Sequence, residues 1–241
     1  MSYKLLITKD EYDFFLNEVR NKLLMKYSYQ ELDCKQCVIE HPTNDCYADV
    51  EAKVKLLNTY YSTRVIVKPM VENILKIAAH VEFQNQLESG NPKLVSKIAN
   101  SSRDNFSFAT KYCALLVPDK YPIYDNLVWK FFCKLNDLGF FDKTTNEKFR
   151  NIKKHHSEAY SDYLDIYREF LEKSGINKYA KSYREVDAFL WGAIKTYLLL
   201  DKDSNHTKIK PARVWLDKHL PDIVKGVIAS AIWDIISQIK F

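Results

Sequence analysis

The chain has 241 residues, of which 46% are hydrophobic, and its 36 basic and 31 acidic residues give a formal net charge of +5. This composition predicts a folded chain with a sizeable core, and the weak positive charge permits a polyanionic partner without requiring one. The five glycines are far apart, which disfavours kinases, P-loop NTPases, Rossmann dehydrogenases and α/β-hydrolases, because each of these depends on clustered glycines.

The N-terminal part of the sequence predicts helices separated by short turns. Thr8 and Glu11 have the spacing of a capping box, and the apolar residues after them recur at helical spacing. Together they predict a first helix from Lys9 to Met25. The stretch from Gln30 to Val38 is compatible with a continued helix, and the turn-forming residues 41–45 break it.

The next part of the chain predicts three further helices. Apolar positions between Val50 and Val65 predict a helix that ends near Pro69, and an apolar face over 71–81 predicts the helix after it. A turn at 89–92 then places a proline at the start of a short helix. Residues 100–105 form a polar connector.

Helices are also predicted on both sides of a proline-containing turn. The helix that contains Phe108 to Leu116 is stopped at Val117, because a residue before proline is pushed out of the α region. A second helix starts at Asp125 and is ended by Gly139. After a polar region over 142–157, a helix follows whose end is capped by Gly175.

The C-terminal part predicts two more helices joined by a charged loop. The first covers 183–197, and the loop covers 201–210. Between Ile223 and Ile239, apolar residues repeat every four positions, which predicts an amphipathic helix with a stripe that winds around it. Docking of this helix on the core is the favoured interpretation, and a homodimer formed through it is the alternative.

No feature of the sequence points to a membrane. The uninterrupted aliphatic runs are far shorter than the roughly 20 apolar residues that span a bilayer. No apolar signal-peptide core follows Met1. We therefore expect a cytoplasmic protein with no membrane partner.

The sequence has five cysteines, which is an odd number, and it shows no secretion signal. Together these observations argue against disulfides. Cys34, Cys37, His41 and Cys46 have the ligand types, and nearly the spacing, of a zinc knuckle. The gap between the second cysteine and the histidine is one residue short, and the knuckle's glycines are missing. Packing of the thiols as small hydrophobic groups is favoured, with no cofactor expected and zinc as the alternative.

Asp125 is the candidate for a functional carboxylate. Pro118 and Pro122 bracket the turn before it, and it lies where a helix N-cap belongs. Such a carboxylate accepts backbone N–H bonds, and the helix N-terminus favours its charged form. It could orient a water molecule or stabilise a developing cation, although the local chemistry by itself favours a simple cap.

Ala109 lies in the first turn of one predicted helix, and Asp125, 16 positions later, heads the next helix. This order resembles the helix-hairpin-helix DNA glycosylase superfamily, most closely bacterial proteins with an oxoguanine-glycosylase-like fold. The resemblance covers about residues 50–191. It implies an all-α, multi-helix fold with a glycosylase-like core, to which about residues 211–241 add a C-terminal extension. We expect a single helical domain over 1–241, with two lobes as the alternative.

The resemblance implies monofunctional excision of a modified base, with Asp125 as the catalytic residue. The base leaves the stack and enters a pocket. The carboxylate then stabilises the oxocarbenium-like sugar or orients the attacking water. Ser107 occupies the position of the lysine nucleophile of the bifunctional members, so no Schiff-base chemistry is expected at that position.

The resemblance also implies contacts with DNA. The family's hairpin glycines would fall at Arg103 and Asn105, so the loop that presents N–H groups to a phosphate is altered. The candidate contacts are Ser102, Arg103, Asn105, Lys111, Tyr60 and Arg64. The altered hairpin favours an alternative function, a non-catalytic helical module that binds nucleic acid or a protein partner. The retained aspartate and its spacing favour the enzyme.

Overall fold

The computed structural model describes residues 5–19, 25–100, 105–154 and 158–203. These residues form helices joined by turns, and no β-strand occurs among them. The predicted all-α, multi-helix fold class is therefore confirmed. Across the same ranges, no helix combines the length and the apolar character needed to cross a bilayer.

The helices of the first half are α1 (Lys9–Asp13), which continues into a π-helical turn (Phe14–Val19), α2 (Met25–Glu40), α3 (Tyr47–Tyr61), α4 (Val67–Ala78), α5 (Phe83–Glu88), α6 (Pro92–Ala99) and α7 (Phe106–Leu116). The predicted capping box is present, since the Thr8 hydroxyl accepts a bond from the Glu11 N–H at 3.3 Å and the Thr8 N–H donates to the Glu11 carboxylate at 2.8 Å. The predicted first helix is present from Lys9 to Val19, but its geometry changes from α-helical to π-helical at Phe14. Residues 20–24 lie outside the described residues.

The helices of the second half are α8 (Asn126–Asp137), α9 (Thr145–Lys154), α10 (Tyr160–Ser174), a 3-10 turn (Ile176–Lys178) and α11 (Tyr183–Asp203). Gly175 ends α10 with a φ of +73°, as predicted. The polar region after Asp142 contains α9. The sequence analysis did not predict this helix, because the composition of the region is polar. The loop expected over 201–210 is wrong for its first three residues, because α11 continues to Asp203, and its other residues lie outside the described ranges.

The end of α3 differs from the prediction. The helix stops at Tyr61, well before Pro69, because Ser62 adopts the left-handed conformation with a φ of 50°. Arg64 is also left-handed, with a φ of 57°. Two such residues cannot continue a right-handed helix, so residues 62–66 form a connection that we call loop 62–66.

Asn58 holds loop 62–66 in place from the last turn of α3. Its Oδ1 accepts bonds from the Val65 N–H at 3.1 Å and the Thr63 hydroxyl at 2.6 Å, and its Nδ2 donates to the Val65 carbonyl at 2.9 Å. These bonds satisfy backbone groups that a helix would otherwise have paired. The expected place of Val81 on the apolar face of the next helix is also wrong, since Val81 lies beyond α4 and is 97% exposed.

Helix α7 lies against α2, α3 and α6, while α11 packs on α8 and on the π-helical turn. The second contact depends on Gly192, because a Cβ there would lie 3.1 Å from the Phe15 carbonyl oxygen. These packing relationships bring α2, the end of α3, α7 and α11 together. The C-terminal helix predicted over 223–239, and the homodimer that it would form, lie outside the described residues.

Candidate functional site

The turn that leads into Asp125 is fixed by buried side chains. Three consecutive carbonyls, those of residues 122–124, accept hydrogen bonds from α7 and α10. The donors are the hydroxyls of Tyr160 to Pro122 at 2.9 Å, Tyr163 to Ile123 at 2.8 Å, and Ser107 to Tyr124 at 3.2 Å. Because these side chains come from two packed helices, the turn has little freedom to move.

Asp125 is the N-cap of α8, as the sequence predicted. Its backbone is extended, and its Oδ1 accepts a bond from the Leu127 N–H at 2.8 Å. Within the described residues, this is the one hydrogen bond that the carboxylate accepts. The side chain is half-buried and lines a cavity. Asp125 is therefore both a cap and a wall of that cavity.

We call this cavity the Asp125 cavity. Its volume is about 300 Å³, and it is bounded by α2, the end of α3, α7, the start of α8 and α11. The charged and aromatic residues that line it are Glu31, Tyr60, Tyr61, Lys111, Asp125, Arg184, Asp187 and Trp191. The cavity thus combines aromatic faces with charges of both signs.

Lys111 is the most deeply buried charged group of this cavity, with 4% of its surface exposed. Its ammonium donates to the Ser107 hydroxyl and to the Tyr124 carbonyl, and it lies 5.7 Å from the centre of the Tyr61 ring. Burial lowers the pKa of Lys111, while the nearby carboxylates of Asp125 and Asp187 act in the opposite direction. Lys111 was expected on a DNA-facing surface, but from this position it can contact only a group that enters the cavity.

Arg184 and Tyr61 form a hydrogen-bonded pair in the wall of the cavity. The Arg184 guanidinium donates to the Tyr61 hydroxyl at 2.8 Å. Burial raises the pKa of Tyr61, so its phenol stays protonated and can accept this bond while donating another. Tyr61 is therefore part of the cavity wall, although it also packs against the core.

The other predicted DNA contacts are dispersed. Tyr60 lines the Asp125 cavity, whereas Arg64 is exposed on loop 62–66 and does not line it. Asn105 has a φ of −103°, so it does not use the left-handed conformation that a hairpin glycine provides. Ser102 and Arg103 lie outside the described residues.

The zinc-knuckle residues do not meet as a ligand set. Cys34 and Cys37 are buried, Cys46 is exposed, and His41 Nδ1 lies 3.4 Å from an oxygen of Asp49. Burial raises the pKa of Cys34 to about 11, which favours the thiol over a metal-binding thiolate. No group of three or more metal-ligating side chains is found in the part of the chain that the structure describes. Zinc binding by this set stays an untested prediction.

Several cavity residues were missed by the sequence reasoning. Arg184, Asp187 and Trp191 lie on α11 at spacings that put them on one helix face, together with Ala188. That spacing was the available signal, but the sequence reasoning followed the buried apolar residues of α11, which lie on a different face of the helix. Glu31 and Gln30 of α2 carried no comparable signal.

The chemistry of this arrangement follows from its parts. Tyr60, Tyr61 and Trp191 provide aromatic faces for a planar group. Asp125 provides a carboxylate whose position is fixed by the helix start and the immobilised turn. Such a carboxylate can stabilise a positive charge or orient a water molecule beside a bound group.

Comparison with known proteins gives limited matches. A family model described as "HI_0787_N: N-terminal domain" matches residues 11–120. This range includes α2, α3 and α7, but it ends before Asp125 and α11.

A Haemophilus influenzae (strain ATCC 51907 / DSM 11121 / KW20 / Rd) protein described as "Uncharacterized protein" is 25% identical to this chain over 144 residues. The match covers 57% of this chain and 62% of the relative, so the chain spans about three-fifths of the length of that relative. No solved structure matches the chain.

Proposed function

We propose that this protein is a DNA glycosylase-like hydrolase that removes a modified base by a monofunctional mechanism, with Asp125 as the catalytic carboxylate. The observation that carries the proposal is the position of Asp125, which caps α8 and lines a cavity with aromatic walls. The cavity volume of about 300 Å³ is at the lower end of small-molecule sites. This size suits a single planar group such as a nucleobase and excludes a stacked duplex.

The proposed reaction begins when the target base leaves the stack and enters the Asp125 cavity. Tyr60, Tyr61 and Trp191 are the aromatic residues against which the base would stack. As the glycosidic bond breaks, positive charge develops on the sugar. The Asp125 carboxylate would stabilise that charge or orient the water that attacks the sugar carbon. Lys111 would balance part of the negative charge of Asp125 and Asp187.

The test is base release from oligonucleotides that carry oxidised, alkylated or deaminated bases, in single-stranded and duplex form. We compare the wild type with Asp125→Asn, which keeps a good N-cap residue and so preserves the start of α8. The matched control is Asp119→Asn, which makes the same charge change at an exposed position of the preceding turn. We expect Asp125→Asn to slow base release by on the order of 100-fold or more, and Asp119→Asn to leave it unchanged.

The other outcomes are informative. Base release that Asp125→Asn leaves unchanged would contradict the assignment of the catalytic residue. DNA binding without base release from any substrate would favour the alternative, a non-catalytic nucleic-acid-binding module. A protein that neither binds DNA nor releases a base would contradict the proposed class.

A second measurement distinguishes hydrolysis from lysine chemistry. The monofunctional mechanism predicts that borohydride traps no covalent complex between the protein and DNA that contains an abasic site. Lys111 is the buried lysine of the cavity, and its amine is the candidate for a Schiff base if one forms. A trapped complex that disappears in Lys111→Met would replace the hydrolytic mechanism with a lysine-mediated one.

A further inference from the structure

A second cavity lies on the other side of Tyr61. Its volume is about 320 Å³, and we call it the α2–α7 groove because most of its lining comes from those two helices. The groove shares four residues with the Asp125 cavity, which are Glu31, Tyr61, Lys111 and Arg184. The bonded pair of Tyr61 and Arg184 therefore stands between the two cavities.

The lining of the groove is mainly apolar. Its walls include Val38, Ile39, Leu57, Leu115 and Pro118. Ile39 is 71% exposed, so the groove opens to solvent at this residue. Exposed apolar surface next to a cavity is typical of a binding site for an apolar group.

The charged residues at the groove are mostly basic. Lys35, Lys111 and Arg184 line it together with the Glu31 carboxylate, while Asp187 acts on Lys111 and Arg184 from the Asp125 cavity. Among the described residues, Tyr61 is the one hydrogen-bond partner of Arg184. A guanidinium has five N–H donors in a fork that matches a carboxylate, so Arg184 has donors to offer. These remaining donors of Arg184 favour an anionic group at the end of the groove where α11 closes it.

We propose that the α2–α7 groove binds a small amphipathic organic anion, with an apolar body between α2 and α7 and a carboxylate head at Arg184. The volume is that of a small-molecule site. A helix of a partner protein would need several anchoring pockets spread over about two of its turns, so a site of this volume favours a small molecule. The aliphatic residues of the groove do not line the Asp125 cavity, whereas Arg184 belongs to the wall that the two cavities share. The proposal does not require the proposed function to be correct.

The shared wall gives the groove a further consequence. A carboxylate that pairs with the remaining N–H donors of Arg184 lies next to the Tyr61 hydroxyl, which the same guanidinium bonds. Occupation of the groove would then change the charge at the wall of the Asp125 cavity. The groove ligand is thereby expected to alter the environment of Trp191, which lines that cavity.

The test is calorimetric titration of the full chain with octanoate, octanol and octylamine, which share one apolar chain and differ in the head group. We expect octanoate to bind at one site, and the other two compounds to bind at least about tenfold more weakly. Ile39→Glu and Lys35→Glu, both at exposed positions, should weaken octanoate binding by a similar factor. Leu32→Glu is the matched control, because Leu32 is on α2 and 61% exposed but does not line the groove.

Each other outcome overturns the proposal. Equal binding of the three compounds would indicate apolar surface without an anion site, and absence of octanoate binding would exclude the ligand class. Octanoate binding that Ile39→Glu and Lys35→Glu leave unchanged would place the site elsewhere. Thymidine 5′-monophosphate is included as an anion with a polar body, and tighter binding of it, lost in Ile39→Glu, would replace the proposed ligand with a nucleotide.

Discussion

Asn58 offers the sharpest prediction about stability, because one side chain holds a connection with unfavourable backbone geometry. Its amide makes three hydrogen bonds to loop 62–66, to the Thr63 hydroxyl and to both backbone groups of Val65. In the same loop, Ser62 and Arg64 are left-handed. Each such residue costs roughly 1–2 kcal/mol. Asn58→Ala removes all three bonds while leaving that cost in place.

The expected destabilisation can be worked from these contacts. A hydrogen bond contributes about 0.5–1.5 kcal/mol net, and the three bonds of Asn58 are partly exposed, so the lower half of that range applies. We expect Asn58→Ala to reduce the free energy of unfolding by about 2 kcal/mol. For a chain of this length, that corresponds to a fall in Tm of roughly 4–8 °C.

The assay is urea unfolding followed by circular dichroism, with thermal unfolding as a second readout. Thr59→Ala is the matched control, because Thr59 is the next residue, is exposed, and only bonds back to the Lys55 carbonyl. It should stay within about 0.5 kcal/mol of the wild type. If Asn58→Ala also stays within that margin, the side chain does not hold the loop and this reasoning is refuted.

Three further predictions concern pKa shifts and backbone geometry. Burial lowers the pKa of Lys111, so folding disfavours the ammonium form of this side chain. The contribution of Lys111 to stability is therefore complete above the ordinary lysine pKa, and it is lost as pH falls through the lowered pKa. The unfolding free energy, measured by urea titration, should therefore rise with pH across that window, and Lys111→Met should flatten the rise. If the variant shows the same dependence on pH as the wild type, the prediction is contradicted. Exposed Cys46 should react first with a thiol reagent, and Cys46→Ser should remove the fast phase of that reaction. Cys113 is buried and its pKa is raised by burial, so it should react only on unfolding. Gly175→Ala should lower the unfolding free energy by about 1 kcal/mol, because the residue has a φ of +73°, and equal stability in thermal unfolding would refute this.

Much of the helical framework is readable from local signals. Thr8 and Glu11 carry their capping box, Gly175 ends α10, and Val117 stops α7 before a proline, all at the predicted positions. Asp125 is also the predicted N-cap of α8. These features depend on residues within one turn of each other, so side-chain chemistry and backbone sterics decide them. The sequence spacing was sufficient for each.

Other features depend on contacts between distant parts of the chain. The left-handed residues after Tyr61 are not glycines, and a glycine would have indicated that conformation. The early end of α3 was therefore not predicted. Lys111 looked like a surface cation, and only the packing of α7 against α2 and α3 buries it.

The sequence by itself determined the all-α fold class that the described residues show, and the cap at Asp125. The tertiary structure decided that Asp125, Lys111 and Arg184 line one cavity, and that Tyr61 separates this cavity from the α2–α7 groove. The physical reason is that periodicity reports which face of a helix is apolar, but not which helices meet. The packing of particular helices against each other determines whether a charge is buried and which residues line a cavity.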